Sequence, residues 1–465
     1  MFLLLLTVKY PQVFSQEEAW DQPVSRSAGE TVKYGLIAGA ETLVPVAGLT
    51  VFNYLVQQTS WSLPTKESVR QNLTTSWIWE DTDDFAVNQI GHPIQGLFSF
   101  GAGRVNGFNF YQSVVFNSFG SFMWETFGES NMASINDFIT TTTGSMATGE
   151  MFYRLYIEAC AQGVPAPLAF IINPMVGFHR LVTGWKPPNT EKNLYRLQLH
   201  FGGALAETHY SIPNSEDEVF SFKGPLAEIG ANVIYGNPFE QDTRIPYRHF
   251  ELDISYGLNL EEYNHLRIIS DGYLFSFSPI YTERDTMSTG ISMHFDFQTH
   301  GKFGMEDATV DQYSNALDWT AKYQHKFSQD TLLQLKLHAG VTFFGASKYF
   351  ADIAVINDYG HVKTDYNNFG GGLNSKLFSI LENKWGRLEM SAFYYVLWTF
   401  PGTTHFSHGN VYWLYTDLAY YQYLTKHFSL GIAHSYVMER GSFSDGYPDT
   451  RKSNEVLKLL VVWNL

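Results

Sequence analysis

Residues 411–438 read VYWLYTDLAYYQYLTKHFSLGIAHSYVM. Residues 411–424 and 427–438 each alternate in two-residue steps, and only Thr425 and Lys426 separate them. Successive side chains of a strand point to opposite faces, so this alternation is what a sheet between two different environments imposes. A two-residue link between such runs predicts a β-hairpin.

The same texture extends in both directions. Upstream it recurs in LYRLQLHF (194–201), HFELDISYGL (249–258), ISMHFDFQ (291–298), TLLQLKLHAG (331–340) and LEMSAFYYVLW (388–398). Downstream the chain finishes on EVLKLLVVWNL, residues 455–465. There Leu457, Leu459, Val461, Trp463 and Leu465 share one face, and Lys458, Leu460, Val462 and Asn464 the other. Runs of about ten alternating residues between turn-rich stretches are the strand pattern of a transmembrane barrel. We therefore expect an antiparallel β-barrel of about 12–14 strands over residues 191–465, with an even strand number favoured. Tight turns such as Thr425–Lys426 should lie at one end, and longer loops, at residues 281–289 and 442–454, at the other. No segment after Pro188 approaches an uninterrupted apolar helix, which excludes a helical membrane protein for this half.

Composition agrees with a lipid boundary. Aromatics reach 16% of the residues and charged residues only 16%, below the roughly 25% of a soluble domain. Tyr and Trp suit the headgroup level, where an apolar ring and a polar tip are both accommodated. A net charge of −16, from 30 Lys plus Arg against 46 Asp plus Glu, excludes nucleic acid as a bulk partner. A single cysteine, Cys160, permits no intrachain disulfide.

The first half has a different, helical texture. Residues 1–15 carry a short apolar run before small and polar residues, as in a cleaved signal peptide ending between Ser15 and Gln16. Residues 16–190 form the expected helical domain. Its first apolar segment, residues 29–56, contains Glu41 and Pro45, which disfavour a lipid-facing helix and favour packing in a lumen or at the periplasmic mouth. Residues 61–84 read as a surface connector. Within this domain, residues 85–154 gather His92, Arg104, Asn106, Ser113, Glu125, Asp137 and Glu150 among glycines, serines and aromatics. Ser113, Asn117, Ser121 and Glu125 recur at every fourth residue, which stacks them on one helix face. Ser134 and Asp137 suit a helix N-cap, and Glu150 and Arg154 a pair one turn apart. If loops after Phe100 and Gly128 fold these helices together, glycines permit the close approach and Arg104 should find a carboxylate, with Glu125 as the expected partner.

The runs NQIGHPIQG, GRVNGFNFYQS, GSFMWETFGE, SINDFITT and GSMATGE, between Asn88 and Arg154, resemble an uncharacterised domain-of-unknown-function family of Gram-negative bacterial proteins. The resemblance implies residence in the cell outer membrane; outer-membrane lipid and, from the final apolar strand with Trp463 two from the end, which resembles the insertion signal of such barrels, the barrel-assembly machinery are the expected partners. It supplies no catalytic assignment.

Two functions compete. The first is a non-catalytic barrel with a helical plug, serving transport or envelope assembly, in which Arg104, Asn106, Asp137, Glu150 and Arg154 are structural or anion-binding groups. The second is a lipid-active hydrolase or transferase in which His92 is the base, Ser113 or Ser121 the nucleophile, Glu125 the orienting group and Arg104 the headgroup clamp. Base rates favour the first, since no reaction-specific motif is present. We expect no cofactor and no metal at His92, Glu125, Asp137 and Glu150, which lack a short-range ligand pair. The glycines of SFGAGRVNG lack the Lys-Ser/Thr and the preceding strand of a phosphate loop.

Overall fold

In a computed structural model the described residues are 24–79, 83, 85–188, 190, 192–211, 218–239, 243–259, 263–301, 310–356, 362–403, 408–444 and 449–465. The expected signal peptide, residues 1–15, lies outside them. The chain divides into a helical unit that ends at Asn193 and a strand unit of residues 194–465, to which Phe85 and Ala86 also belong.

The helical unit opens with α1 (Ala28–Phe52), whose N-terminus is closed by a reciprocal capping box between Ser27 and Glu30. This helix runs through Pro45 and ends in a wider turn, Asn53–Gln57. By length and hydropathy it could cross a membrane. Its Glu41 is nevertheless turned inward, accepting from Asn106 Nδ2 at 2.6 Å and lying 2.7 Å from His179 Nδ1. The expected connector at 61–84 is more structured than its composition suggested, because Thr65 and Ser68 cap a helix, α2 (Lys66–Thr74). The motif stretch forms α3 (His92–Val105), α4 (Phe110–Phe127) and α5 (Ile135–Ala161), followed by α6 (Ala166–Ile172) and α7 (Pro174–Thr183). The first chain reversal comes after Val105, not after Phe100, because the residues 101–105 continue the helix into an Asn109-capped α4.

The strand unit is one closed barrel of twelve antiparallel strands, at the lower bound of the expected number. These are β1 (Leu194–Ser211), β2 (Glu218–Tyr235), β3 (Phe250–Leu258), β4 (Asn264–Tyr281), β5 (Asp285–Gly301) and β6 (Val310–Lys326). They continue with β7 (Thr331–Ile356), β8 (Val362–Asn383), β9 (Gly386–Thr399), β10 (Gly409–Tyr423), β11 (Phe428–Phe443) and β12 (Thr450–Asn464). Each strand pairs with its neighbours in sequence, and β12 closes on β1 from Gln198↔Asn464 to Ser211↔Arg451. The expected hairpin around Thr425–Lys426 joins β10 to β11, with Tyr423 opposite Ser429. One expected loop is corrected. Of residues 281–289 only 282–284 lie outside strands, forming a tight turn, since Tyr281 ends β4, Asp285 starts β5 and Tyr281 pairs with Thr286. Thr282 holds that turn, its Oγ1 accepting from Asp285 N–H at 2.9 Å. Short connections at 282–284, 327–330, 384–385 and 424–427 therefore share one end of the barrel, where the longer connection 236–249 also lies.

Alternation sorts the two faces. On β12, Leu457, Leu459 and Trp463 are 39–63% exposed, whereas Val456, Lys458, Leu460 and Val462 are at most 8% exposed. Leu205, Ile229, Leu337, Leu377, Met390, Leu418 and Ile432 likewise point outward, and Tyr195, Tyr281, Phe327, Trp385 and Phe428 form an aromatic rim at the short-turn end. A closed sheet has no unpaired edge, and with an apolar exterior it is the one β-architecture that satisfies every backbone group within hydrocarbon. The protein is thus a transmembrane barrel of the outer-membrane type. Leu459→Arg should destabilise the inserted barrel by about 2–4 kcal/mol if the residue sits at the bilayer midplane. Urea titration in lipid vesicles measures this, and an unchanged midpoint would place Leu459 away from lipid.

Candidate functional site

Within the helical unit, α3, α4 and α5 pack at glycine contacts. A Cβ on Gly96 would fall 2.5 Å from Thr141 O, and one on Gly103 would fall 2.8 Å from Ser113 Oγ. Those approaches bury the predicted polar stripe completely, with Ser113, Asn117, Ser121 and Glu125 all at most 1% exposed. Asn117 Nδ2 donates across to Ser145 Oγ at 2.5 Å.

The carboxylates divide into two groups. Glu150 is the ion-pair partner of both buried arginines, 2.8 Å from Arg104 Nε and 2.8 Å from Arg154 Nε, and its Oε1 accepts from Arg104 Nη2 at 3.2 Å. This confirms the expected Glu150–Arg154 pair and corrects the partner expected for Arg104. Glu125 lies instead against the start of α5, where its Oε2 accepts from Ser134 N–H at 2.8 Å. The spacing Arg104–Glu125 spans two adjacent helices, but α5 brings Glu150 closer to the guanidinium. Ser134 caps α5 as its spacing implied, its Oγ accepting from Asp137 N–H.

His92 sits beside Asp137, with 3.6 Å between Nε2 and Oδ1, and its Nδ1 is 3.2 Å from Thr141 Oγ1. Asp83 lies further off, at 3.9 Å. Burial, then the charge of Asp137, raises the Glu125 carboxyl well above its ordinary pKa, and burial also raises that of Asp137. The structure thus brings His92, Asp137 and Glu125 to one region and Arg104, Glu150 and Arg154 to another. It does not bring the serines to the histidine. Ser113 Oγ and Ser121 Oγ are buried with no hydrogen-bond partner among the described residues, so neither is bonded to His92. Asn106 belongs with Glu41, at the α3 terminus.

The barrel holds a second set of groups that the sequence reading did not single out. Inward positions form a charged network: Lys322 binds Glu251 at 2.8 Å and Asp271 at 3.0 Å, Arg267 binds Asp253 at 2.7 Å, and Lys452 binds Glu439 at 2.9 Å. Lys376 pairs with Asp296, and Lys458 with Glu228. The available signal was the polar residue at every second position of strands already legible, as in His294 and Asp296 of ISMHFDFQ. Between these groups a cavity of about 530 Å³ is lined by residues of the short-turn end, including Tyr423, Lys426 and Leu465. A deeper one of about 150 Å³ shares Arg196, Gln198, Glu251, Lys336 and Arg387 with it. Arg387 is tied to Glu389 at 2.8 Å and Gln198 at 3.1 Å. Arg196, by contrast, has no ion pair or hydrogen bond among the described residues, and its Nε is buried.

Two outcomes follow for the helical unit. Glu150→Gln strands two buried guanidiniums and should cost about 3–5 kcal/mol, read as lost amide-exchange protection in α3 and α5 of the full-length protein. Protection unchanged within experimental error would contradict the assignment of Glu150 as their shared partner. Glu125, whose folded-state pKa is raised, contributes stability that is fully present below its ordinary value of 4.5 and is lost as pH rises through the raised value. As pH rises above 4.5, protection of α4 and α5 should therefore fall in the wild type and flatten in Glu125→Gln. Equal slopes would show that Glu125 does not titrate there.

No curated protein matches the sequence. Among solved structures, the chain is similar to the Pseudomonas putida toluene transporter TodX at 8% identity and a TM-score of 0.23, over 62% of this chain and 93% of that one. It is similar to the COG4313 outer membrane channel from Pseudomonas putida F1 at 8% identity and a TM-score of 0.27, over 60% and 100%. A third, the NanC porin, gives 7% identity and a TM-score of 0.25, over 55% and 98%. Residues 76–175 match the family described as "Domain of unknown function (DUF3943)", and the motifs between Asn88 and Arg154 that carried the resemblance fall inside that match.

Proposed function

We propose that this outer-membrane barrel is a non-catalytic conduit for small anionic solutes, entered from its short-turn mouth. The observation that carries the reading is Arg196, a guanidinium without a carboxylate partner among the described residues, on the shared wall of the two cavities. Arg196 is half-buried with its Nε shielded from solvent, and a cation so withdrawn from water without an ion pair is costly unless a mobile anion visits it. The neighbouring Lys322 and Lys336 are already matched by the two carboxylates of Glu251 and Asp271, which leaves Arg196 as the cation of this wall without an ion pair among the described residues.

The helical cluster weighs the same way. A hydrolase of the expected type needs a serine hydroxyl on its base, and the serines here have no such bond. Glu150 between two arginines acts as a structural clamp, holding α3 to α5.

Conductance in planar bilayers tests the proposal. The full-length wild type should show anion-preferring channels, and Arg196→Glu should shift the reversal potential toward cations. Arg196→Gln, which removes the charge without reversing it, should fall between them. Inserted, folded protein that never conducts, or a selectivity that ignores both substitutions, would overturn it.

A further inference from the structure

Three adjacent strands carry a cluster of different chemistry. His294 on β5, Asp318 on β6 and His338 on β7 are each at most 1% exposed, and each offers one ligand atom within 4.8 Å of the other two. The register explains the convergence. Asp318 stands opposite Ser292 and Gly340, and His338 stands opposite Thr320, so the three occupy neighbouring inward positions.

Charge makes this cluster differ from the rest of the lumen. Glu251, Asp271, Asp296, Glu228, Asp253 and Glu439 each have a lysine or arginine partner. Asp318 has none among the described residues. Its Oδ1 accepts from Asn374 Nδ2 at 2.9 Å, while Oδ2 lies 3.4 Å from His294 Nε2 and has no hydrogen bond. His338 is in a similar position: Nδ1 is held by Thr320 Oγ1 at 2.7 Å, and Nε2 is buried without a partner among the described residues. Asp318 Oδ2 and His338 Nε2 are therefore both left without a partner among the described residues, in a cluster where each of the three residues brings a ligand atom within 4.8 Å of the others.

Two alternatives fail on geometry. His249, Glu251 and Asp271 meet the same distance condition, but Lys322 Nζ already stands 2.7, 2.8 and 3.0 Å from them, putting an ammonium where an ion would sit. A Ser–His–Asp hydrolase needs serine and carboxylate on opposite ring nitrogens. Here Ser292 Oγ, at 2.8 Å, and Asp318 Oδ2 both face His294 Nε2.

We propose that His294, Asp318 and His338 bind a first-row divalent transition ion, with zinc as the reference. Two imidazoles and one carboxylate suit such ions, and three protein ligands leave a fourth position open to water or a passing solute. Thr320 and Asn374 supply the orienting contacts that ligating residues need. Lys376 opposes the ion, since its Nζ is 2.9 Å from His294 Nδ1. A metal on Nε2 requires the proton on Nδ1, so Lys376 must leave the ring and remain on Asp296, its other partner. Binding therefore shifts the ring proton from Nε2 to Nδ1, a change of tautomer with no net proton released from His294. The site does not depend on the conduit being anion-selective.

The test uses full-length protein in micelles, stripped with a chelator and titrated with Co²⁺ for its d–d absorption and with Zn²⁺ against a chromophoric competitor. One equivalent should bind. His338→Gln and Asp318→Asn should each weaken affinity by about 100-fold or more, His249→Gln should not, and Lys376→Gln should tighten it. Heat-modifiable gel mobility verifies that each variant is folded. Should a variant fail to fold, X-ray absorption on the zinc-loaded wild type still decides: two imidazole ligands are expected. No uptake by the wild type, affinity unaffected by both ligand substitutions, or an oxygen-only zinc shell would overturn the proposal.

Discussion

Closure of β12 on β1 is the constraint from which the rest of the barrel follows. Fourteen paired positions, from Gln198↔Asn464 to Ser211↔Arg451, remove the sheet's last edge. In hydrocarbon an unpaired row of N–H and C=O groups would cost several kcal/mol per group, so the barrel could not persist open. Once the wall is closed, the period of two has a fixed meaning: one face meets lipid and the other meets the lumen. Leu457 and Leu459 can then be exposed while Lys458 between them is buried, with its ammonium on Glu228 two strands along the wall.

The same closure accounts for the lumen's chemistry. Inward side chains are removed from both bulk water and lipid, so each charge requires a partner. Lys322 draws on Glu251 and Asp271, and Lys452 on Glu439, which also accepts from Trp413 Nε1 at 3.0 Å. Against that background of matched charges, Arg196 and Asp318 are the informative departures: among the described residues Arg196 has no ion-paired carboxylate and Asp318 no ion-paired lysine or arginine. The helical unit obeys the same rule in miniature. Glu150 serves two arginines, whereas Glu125 and Asp137, buried without an arginine, are pushed toward the neutral form.

Strands with clean alternation and turn punctuation were legible in the sequence, notably the β10–β11 hairpin and β12. Strands β2, β4, β6 and β8 were not singled out. In β2, Gly224, Pro225 and Gly230 interrupt the pattern, and in β8 the run Gly370–Gly371–Gly372 does so. In β4, Ile268 and Ile269 are adjacent, and register shifts at Tyr273/Phe275 and Phe277/Ile280 break the period. Local spacing also sufficed for the Ser134 cap and the Glu150–Arg154 pair, both contained in one helix turn. It failed for Arg104, whose partner lies 46 positions away on α5. The lumen clusters were hidden for the same reason: His294, Asp318 and His338 meet only through the register of three strands.

The central claim is that one face of the wall meets lipid and the other a polar interior, and tryptophan quenching by brominated acyl chains measures it most directly. Two variants are needed, one retaining only Trp398, which is 45% exposed, and one retaining only Trp413, which is 2% exposed. In vesicles of brominated phospholipid, emission from Trp398 should be strongly quenched and that from Trp413 left nearly unchanged. Quenching of Trp413 as deep as that of Trp398, or none at Trp398, would contradict the account.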